Sequence, residues 1–204
     1  ATMMSGVKVG ADYHVRFRSS DGRTRSFVVE GAGGPSWYTE YNVLTGLSVR
    51  SYGRFAESVT RLAAGRVKRG LPYALRACGY TTYSLYSWFG AFVGARGFHT
   101  STGIEHFLDA KQLRTGLTDT DQFYYDHAAD VIARERANGP VFVFLYLAAN
   151  HFPWDYRYRP DLLPTWVNPG NPPEIDEYLR RQEMSVHDYA QFKERLAREF
   201  AGEQ

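Results

Sequence analysis

VFVFLYLAA, residues 141–149, decides the fold. It is continuously apolar, uncharged, and mixes β-branched with aromatic side chains. It is too short to cross a bilayer as a helix, and it lacks the alternation of a half-buried strand. It reads as a strand buried on both faces, the pattern of a central strand in a helix-covered sheet. Asn138-Gly139 stops the segment before it, and Pro153 blocks further pairing after it.

The flanking segments supply the layers. TTYSLY, 81–86, is a second strand, and a helix over Leu71–Ala77 precedes it, opening near Pro72 and closing at Gly79. A helix capped by Asp119 or Asp121 is predicted to run to about Ala137. Tyr38 to Leu47 is apolar on a helical period, with Gly46 its weak point. Residues 54–64 read as a short helix or irregular turns. Residues 155–173 form a Pro/Asn-rich surface loop, and a long helix follows from Glu174 to about Phe200, with Ile175, Tyr178, Leu179, Val186, Tyr189, Leu196 and Phe200 on its apolar face. Its charged residues are expected on a solvated face in i,i+4 pairs. Alternation at 13–18 and 25–29 around SSDGR predicts a β-hairpin over 13–29. The order of strands and helices gives an α/β class, a mixed sheet flanked by helices, in one domain over 1–204.

Bulk properties exclude several functions. At 204 residues the chain can build one real core. The net charge is +2 with the basic residues spread out, so there is no nucleic-acid footprint. No apolar run reaches the length of about 18 residues that marks a transmembrane helix, and no signal peptide is visible. A lone cysteine, Cys78, excludes an internal disulfide and a cysteine-built zinc cage. It reads as a core residue. Aromatics make up 16% of the chain, and such side chains can wall sugar or lipid-headgroup sites.

Two places could carry chemistry. Open α/β sheets bind ligands at the carboxyl ends of their strands. Asn150-His151-Phe152-Pro153-Trp154 follows the 141–149 strand, so His151 is expected at such a site, walled by Phe152 and Trp154. A loop histidine that only caps a turn is the plainer alternative. In GAGGPSWYTEYNVLTGLS, residues 31–48, a glycine-rich approach leads to Ser36 and then a helix. A helix start favours an anion such as phosphate. Serine is equally a common N-cap, and both readings stay open on the residues alone. No Gly-x-Ser-x-Gly frame supports a nucleophile elbow.

GGPSWYTEYNVLTGLS, GYTTYSLY, RGFHTSTGIEHFLD and LAANHFPW follow the order of four landmarks of a known family. Over nearly its whole length the chain resembles the sulfatase-like enzymes of the alkaline phosphatase superfamily. The branch it resembles holds the lipoteichoic acid synthases and the phosphoglycerol and phosphoethanolamine transferases. The resemblance implies that Ser36 attacks phosphorus to form a covalent phospho-enzyme. It also makes Ser36 one ligand of a divalent metal, zinc or manganese, which lowers the hydroxyl's pKa and neutralises charge on the transferring group. It implies that His151 binds the substrate phosphate or headgroup and that Arg96 holds phosphate with its planar fork. Trp88 and His99 are weaker candidates on the substrate wall, with packing the plainer role for Trp88. The implied substrate is a phospholipid or glycan. The implied place is the periplasmic or extracytoplasmic side of an inner-membrane protein, tethered upstream. The absent Cys-x-Pro-x-Arg motif argues for phosphorus over sulfate. Nothing in the residues sets an oligomeric state.

The chain departs from the family at the other metal ligands. These are an acidic residue ending an early strand and an Asp-His pair after a late one. Glu30 lies too close to Ser36 and reads as a hairpin-end residue. Asp126-His127 sits in a predicted helix, before the 141–149 strand, and His127 reads as half-buried and structural. The chain is therefore expected to be the middle of a catalytic domain, incomplete at both ends, or else a degenerate member that lost the metal, and in either case without a bound metal and inactive by itself. A non-catalytic glycan- or headgroup-binding module and a sulfate-ester hydrolase are the competing readings.

Overall fold

The computed structural model describes residues 6–19, 21–23, 26, 28–31, 34–116 and 119–201. In chain order the elements are α1 (Tyr13–Arg16), α2 (Ser36–Thr45), α3 (Val59–Ala63), α4 (Leu71–Ala77), β1 (Thr81–Tyr86), α5 (Ala95–Ser101), β2 (His106–Leu108), α6 (Ala110–Leu113), α7 (Asp121–Glu135), β3 (Val141–Tyr146) and α8 (Pro173–Glu199). Tight 3-10 segments run over Val49–Ser58 and Phe92–Gly94. The chain divides into two compact units. One comprises residues 27–118 and 127–146, the other residues 1–26, 119–126 and 147–204.

The first of these holds the sheet. β1 lies between β2 and β3 and is parallel to both, with Tyr83 opposite His106 and Tyr86 opposite Tyr146. Parallel neighbours need crossovers, and α5 and α7 lie in them. Side chains alternate along β1. On one face Ser84 bonds His99 of α5, and Phe144 of β3 packs on a core of Tyr41, Leu44, Val59, Ala63 and Phe98. On the other face the Tyr83 hydroxyl donates to Glu135 of α7 at 2.8 Å. This is the α/β class expected from the sequence.

The strand expected to be central is not. The 141–149 run is strand only over Val141–Tyr146, is half-buried along its length, and pairs with β1 alone among the described residues. β1 is the central strand, buried at every position after Thr81. Continuous apolarity records what covers a strand's two faces, not which of its edges pair. Cys78 also departs from expectation: it caps the end of α4 and is exposed.

Among the described residues no hairpin forms over 13–29, a span shared between the two units. Tyr13–Arg16 is the helical turn α1, where Tyr13 and Phe17 meet ring to ring at 4.9 Å, an i,i+4 contact that a strand cannot make. Ser26, Val28 and Val29 carry no strand, and Arg25 and Phe27 lie outside the described residues. In the other unit α8 buries Leu179 as expected, but Tyr189 is exposed, and Met184 and Phe192 are buried in addition. It also buries the charges expected in solvent. Arg180 is 0% exposed and Arg181 2%. Glu177 accepts from Arg180 Nε at 2.9 Å and from Arg181 Nε at 2.8 Å. The two guanidinium groups also donate to the carbonyls of His151, Tyr156, Tyr158 and Leu162. An irregular loop packed on a helix leaves carbonyls without ladder partners, and the arginines satisfy them.

Asp121 and Asp188 are further buried carboxyls of this unit. Burial pushes Asp121 above the ordinary aspartate range, against bonds from Ser185 and the Ala149 N–H. It does the same to Asp188, against the Gln122 N–H and His187. A carboxyl with a raised folded pKa holds its proton more tightly when folded. It therefore costs stability as pH rises from the unfolded value, about 3.9, through the folded one. Asp188→Asn keeps an acceptor for Gln122 and removes that penalty. The melting temperature of the variant should rise relative to wild type as pH climbs through this window. A difference that stays flat across the window would refute the assignment.

Candidate active site at the carboxyl ends of the strands

β1 and β3 end side by side at Tyr86 and Tyr146, whose rings stack at 4.5 Å. The start of α2 meets this edge. Pro35 occupies the N-cap position, and no side chain caps the helix. Ser36 is thus the first helical residue rather than its cap. Its side chain is exposed, and its Oγ lies 2.6 Å from the Tyr146 hydroxyl. A small hydroxyl therefore stands at a helix N-terminus, where backbone N–H groups and the dipole favour negative charge. Ala32 and Gly33 of the glycine-rich approach lie outside the described residues. At Gly34 a Cβ would meet nothing within 4 Å.

One turn along α2, Glu40 is buried and bonds His99 Nε2 through Oε1. His99 Nδ1 lies 2.9 Å from the Ser84 hydroxyl. The second Glu40 oxygen is buried with no hydrogen-bond partner among the described residues. Burial raises the phenol pKa of Tyr146, with the Ser36 hydrogen bond opposing and the Glu40 charge adding to it. Tyr86 is raised first by burial and then by the Glu40 charge. Neutral phenols therefore line this edge at ordinary pH.

The other expected site residues are placed differently. His99 is no wall residue: it is 0% exposed and braced at both ring nitrogens. Arg96 is already committed. Its Nη2 lies 2.8 Å from Asp109 and 2.9 Å from Gln112, its Nη1 3.1 Å from the Phe107 carbonyl, and its guanidinium sits over the Phe107 ring. Asp109 closes a capping box on α6 and takes the Gly90 N–H. Burial pushes its carboxyl up, but the Gly90, Arg96 and Gln112 bonds together hold it below the usual range. Trp88 is 41% exposed beside the exposed Phe89, while its carbonyl accepts from the Ala110 N–H. His151 belongs to the other unit and does not leave the strand directly, since β3 ends at Tyr146. It is exposed and stacked on Phe152, and its Nδ1–H donates to the Phe152 carbonyl at 2.7 Å.

Glu30 binds Ser48, Asn42 and the Val49 N–H, and these bonds hold its carboxyl below the ordinary range. It links the end of α2 to the segment after it. A divalent cation needs several oxygen, nitrogen or sulfur donors at one point. Among the described residues no three His, Cys, Asp or Glu side chains converge in this way. Ser36 meets a phenol, and the carboxylate one turn along is tied to His99. The described residues do not fit a metal.

Sequence reasoning missed Tyr146, Tyr86 and Glu40. The signals were present but unremarkable: each tyrosine sits in a predicted strand, and Glu40 lies four residues after Ser36, on the same helix face.

Among solved structures the chain is similar to the lipoteichoic acid synthase LtaP from Listeria monocytogenes, at 18% identity and a TM-score of 0.63, over 81% of this chain and 40% of that one. It is also similar to a protein in the alkaline phosphatase superfamily from Vibrio parahaemolyticus, at 15% identity and a TM-score of 0.54, over 76% of this chain and 37% of that one. At these identities the likeness is one of fold, and the chain spans well under half of either structure. A search of curated protein sequences gives no match. The fold is that of alkaline phosphatase and sulfatase-like proteins. The sulfatase family model matches residues 32–190, most of the chain, and the protein belongs to that family.

The Asp109 contacts give a structural prediction. Asp109→Ala removes the α6 cap and strands the Gly90 N–H and the Arg96 fork. It should cost about 1–3 kcal/mol in urea unfolding. A loss indistinguishable from zero would show that these contacts do not hold the segment.

Proposed function

We propose that the protein moves or hydrolyses a phosphodiester of the cell envelope, a phosphoglycerol or phosphoethanolamine group, with Ser36 as nucleophile. The observation that carries this reading is the Ser36 hydroxyl: exposed, first in its helix, free of the capping role, and set at the carboxyl ends of two parallel strands. Membership of the sulfatase family and the fold likeness to a lipoteichoic acid synthase support it. Ser36 Oγ forms a bond to phosphorus, the ester P–O bond breaks, and the alcohol leaves with one proton in exchange for the serine's. A second alcohol or water then reverses the exchange and restores the hydroxyl. The helix start faces the negative charge that gathers on the phosphoryl oxygens. The exposed rings of Trp88, Phe89 and Phe92 offer apolar surface to a lipid or glycan.

On this reading the domain works on the outer side of an inner membrane. Among the described residues no helix is long and apolar enough to cross one. A zinc or manganese ion would need ligands beyond Ser36, so the 204-residue chain alone should turn over at background even with either metal added. The exposed aromatic rings also favour a second reading, a glycan- or headgroup-binding module without chemistry.

Ser36→Ala separates the two, made in the protein expressed from its whole reading frame and assayed with fluorescent phosphatidylglycerol and phosphatidylethanolamine in detergent micelles. Turnover should fall by about a thousandfold or more with micelle binding unchanged. Full activity in the variant would refute the nucleophile. Binding without turnover in the wild type would favour the binding module.

A further inference from the structure

The Ser36 hydroxyl meets a side chain from a different element, and the contact has a consequence for the reaction. We infer that Tyr146 is a positioning residue, whose hydroxyl locks Ser36 in the rotamer that presents an Oγ lone pair to an arriving phosphorus. The inference rests on the reading of Ser36 as nucleophile.

A serine side chain has three staggered rotamers and little to choose between them at an exposed site. At a helix start the usual choice is a bond to the helix's own N–H groups, which turns the oxygen into the helix. Ser36 does not make that bond, because Pro35 stands at the cap. Its oxygen instead lies 2.6 Å from the Tyr146 hydroxyl, an ordinary O–H···O hydrogen bond that constrains one torsion. Nucleophilic displacement is steeply sensitive to such alignment.

Tyr146 can impose this geometry only if it is itself fixed. It is the last residue of β3, in register with Tyr86, and the two rings stack with an interplanar angle of 24°. Tyr86 is 0% exposed, edge-on to His99 at 5.7 Å and tilted against Phe107 at 5.5 Å. His99 is held by Ser84 of β1 on one side and Glu40 of α2 on the other. Glu40 and Ser36 share one helix, so the serine's backbone and its hydroxyl partner are referenced to the same buried ring.

The test is Tyr146→Phe in the protein expressed from its whole reading frame, with fluorescent phosphatidylglycerol in micelles as the probe. The ring stack survives this change and only the hydroxyl goes. The expected result is a kcat lower by about tenfold to a hundredfold, with KM and melting temperature close to wild type. In single turnover, peptide mass spectrometry should show the Ser36 phosphoglycerol adduct forming more slowly. Tyr83→Phe removes a phenol hydroxyl from the opposite face of the sheet and should leave kcat unchanged. If Ser36→Ala is dead, the wild type forms the adduct, and Tyr146→Phe matches wild type, the positioning role falls and the nucleophile stands. A Tyr146→Phe variant whose kcat falls no further than that of Tyr83→Phe overturns it likewise. If Ser36→Ala is active or the wild type forms no adduct at Ser36, both fall together.

Discussion

The sheet unit depends on one buried chain of polar contacts, Glu40 to His99 to Ser84. It joins α2, α5 and the central strand β1 at a point sealed from solvent. A buried carboxylate is costly unless bonded, and a buried imidazole needs partners at both nitrogens. The chain meets most of that demand with residues from three elements. It therefore specifies a single docking of α2 on the sheet, where apolar packing of Tyr41 and Leu44 alone would tolerate small slides. The start of α2 inherits this precision, and with it Ser36.

The other unit uses the same device differently. Two fully buried arginines on α8, neutralised in part by Glu177, donate to the carbonyls of a loop that has no ladder of its own. Burial opposes the Glu177 charge, but the bonds from Arg180, Arg181 and the Tyr158 N–H outweigh it and hold the carboxyl below its usual range. The pairing repays a desolvation cost that apolar side chains would not incur, so its value lies in fixing the loop rather than in raw stability. The backbone of His151 is one of the points so fixed.

How much of this was legible follows from where the information lies. Helix and strand positions come from local periodicity, and 71–77, 81–86 and the long C-terminal helix are found where the sequence puts them. Edge pairing is not local, so β3 and β1 exchanged roles. The 13–18 alternation was over-read because Tyr13 and Phe17 serve both a two-residue and a four-residue period. Burial of Arg180 and Arg181 was invisible because an i,i+4 charged pair looks alike on a wet face and a dry one. Ser36 could be singled out, since a glycine-rich approach and a helix start are sequence features. Its partner Tyr146 could not, because the contact spans 110 positions and depends on strand register. Arg96 and His99 were named from the family resemblance, and the bonding capacity of both is already spent inside the fold.

The order Pro35-Ser36 is the last element of the argument. Reversed, a serine at the cap and a proline in the first turn would make an ordinary helix start, with the hydroxyl consumed by backbone N–H groups. As it stands, the proline takes the cap position with no side-chain oxygen to offer, and the serine falls one place inside the helix. The helix end then lacks a side-chain acceptor, and the hydroxyl lacks its usual helical partner. An incoming anion can supply the first and a strand-end phenol supplies the second. A helix terminus left uncapped in this way costs roughly 1 kcal/mol of local stability relative to a good cap. That is a small cost for a helix start left open while its first hydroxyl is held by a strand-end phenol.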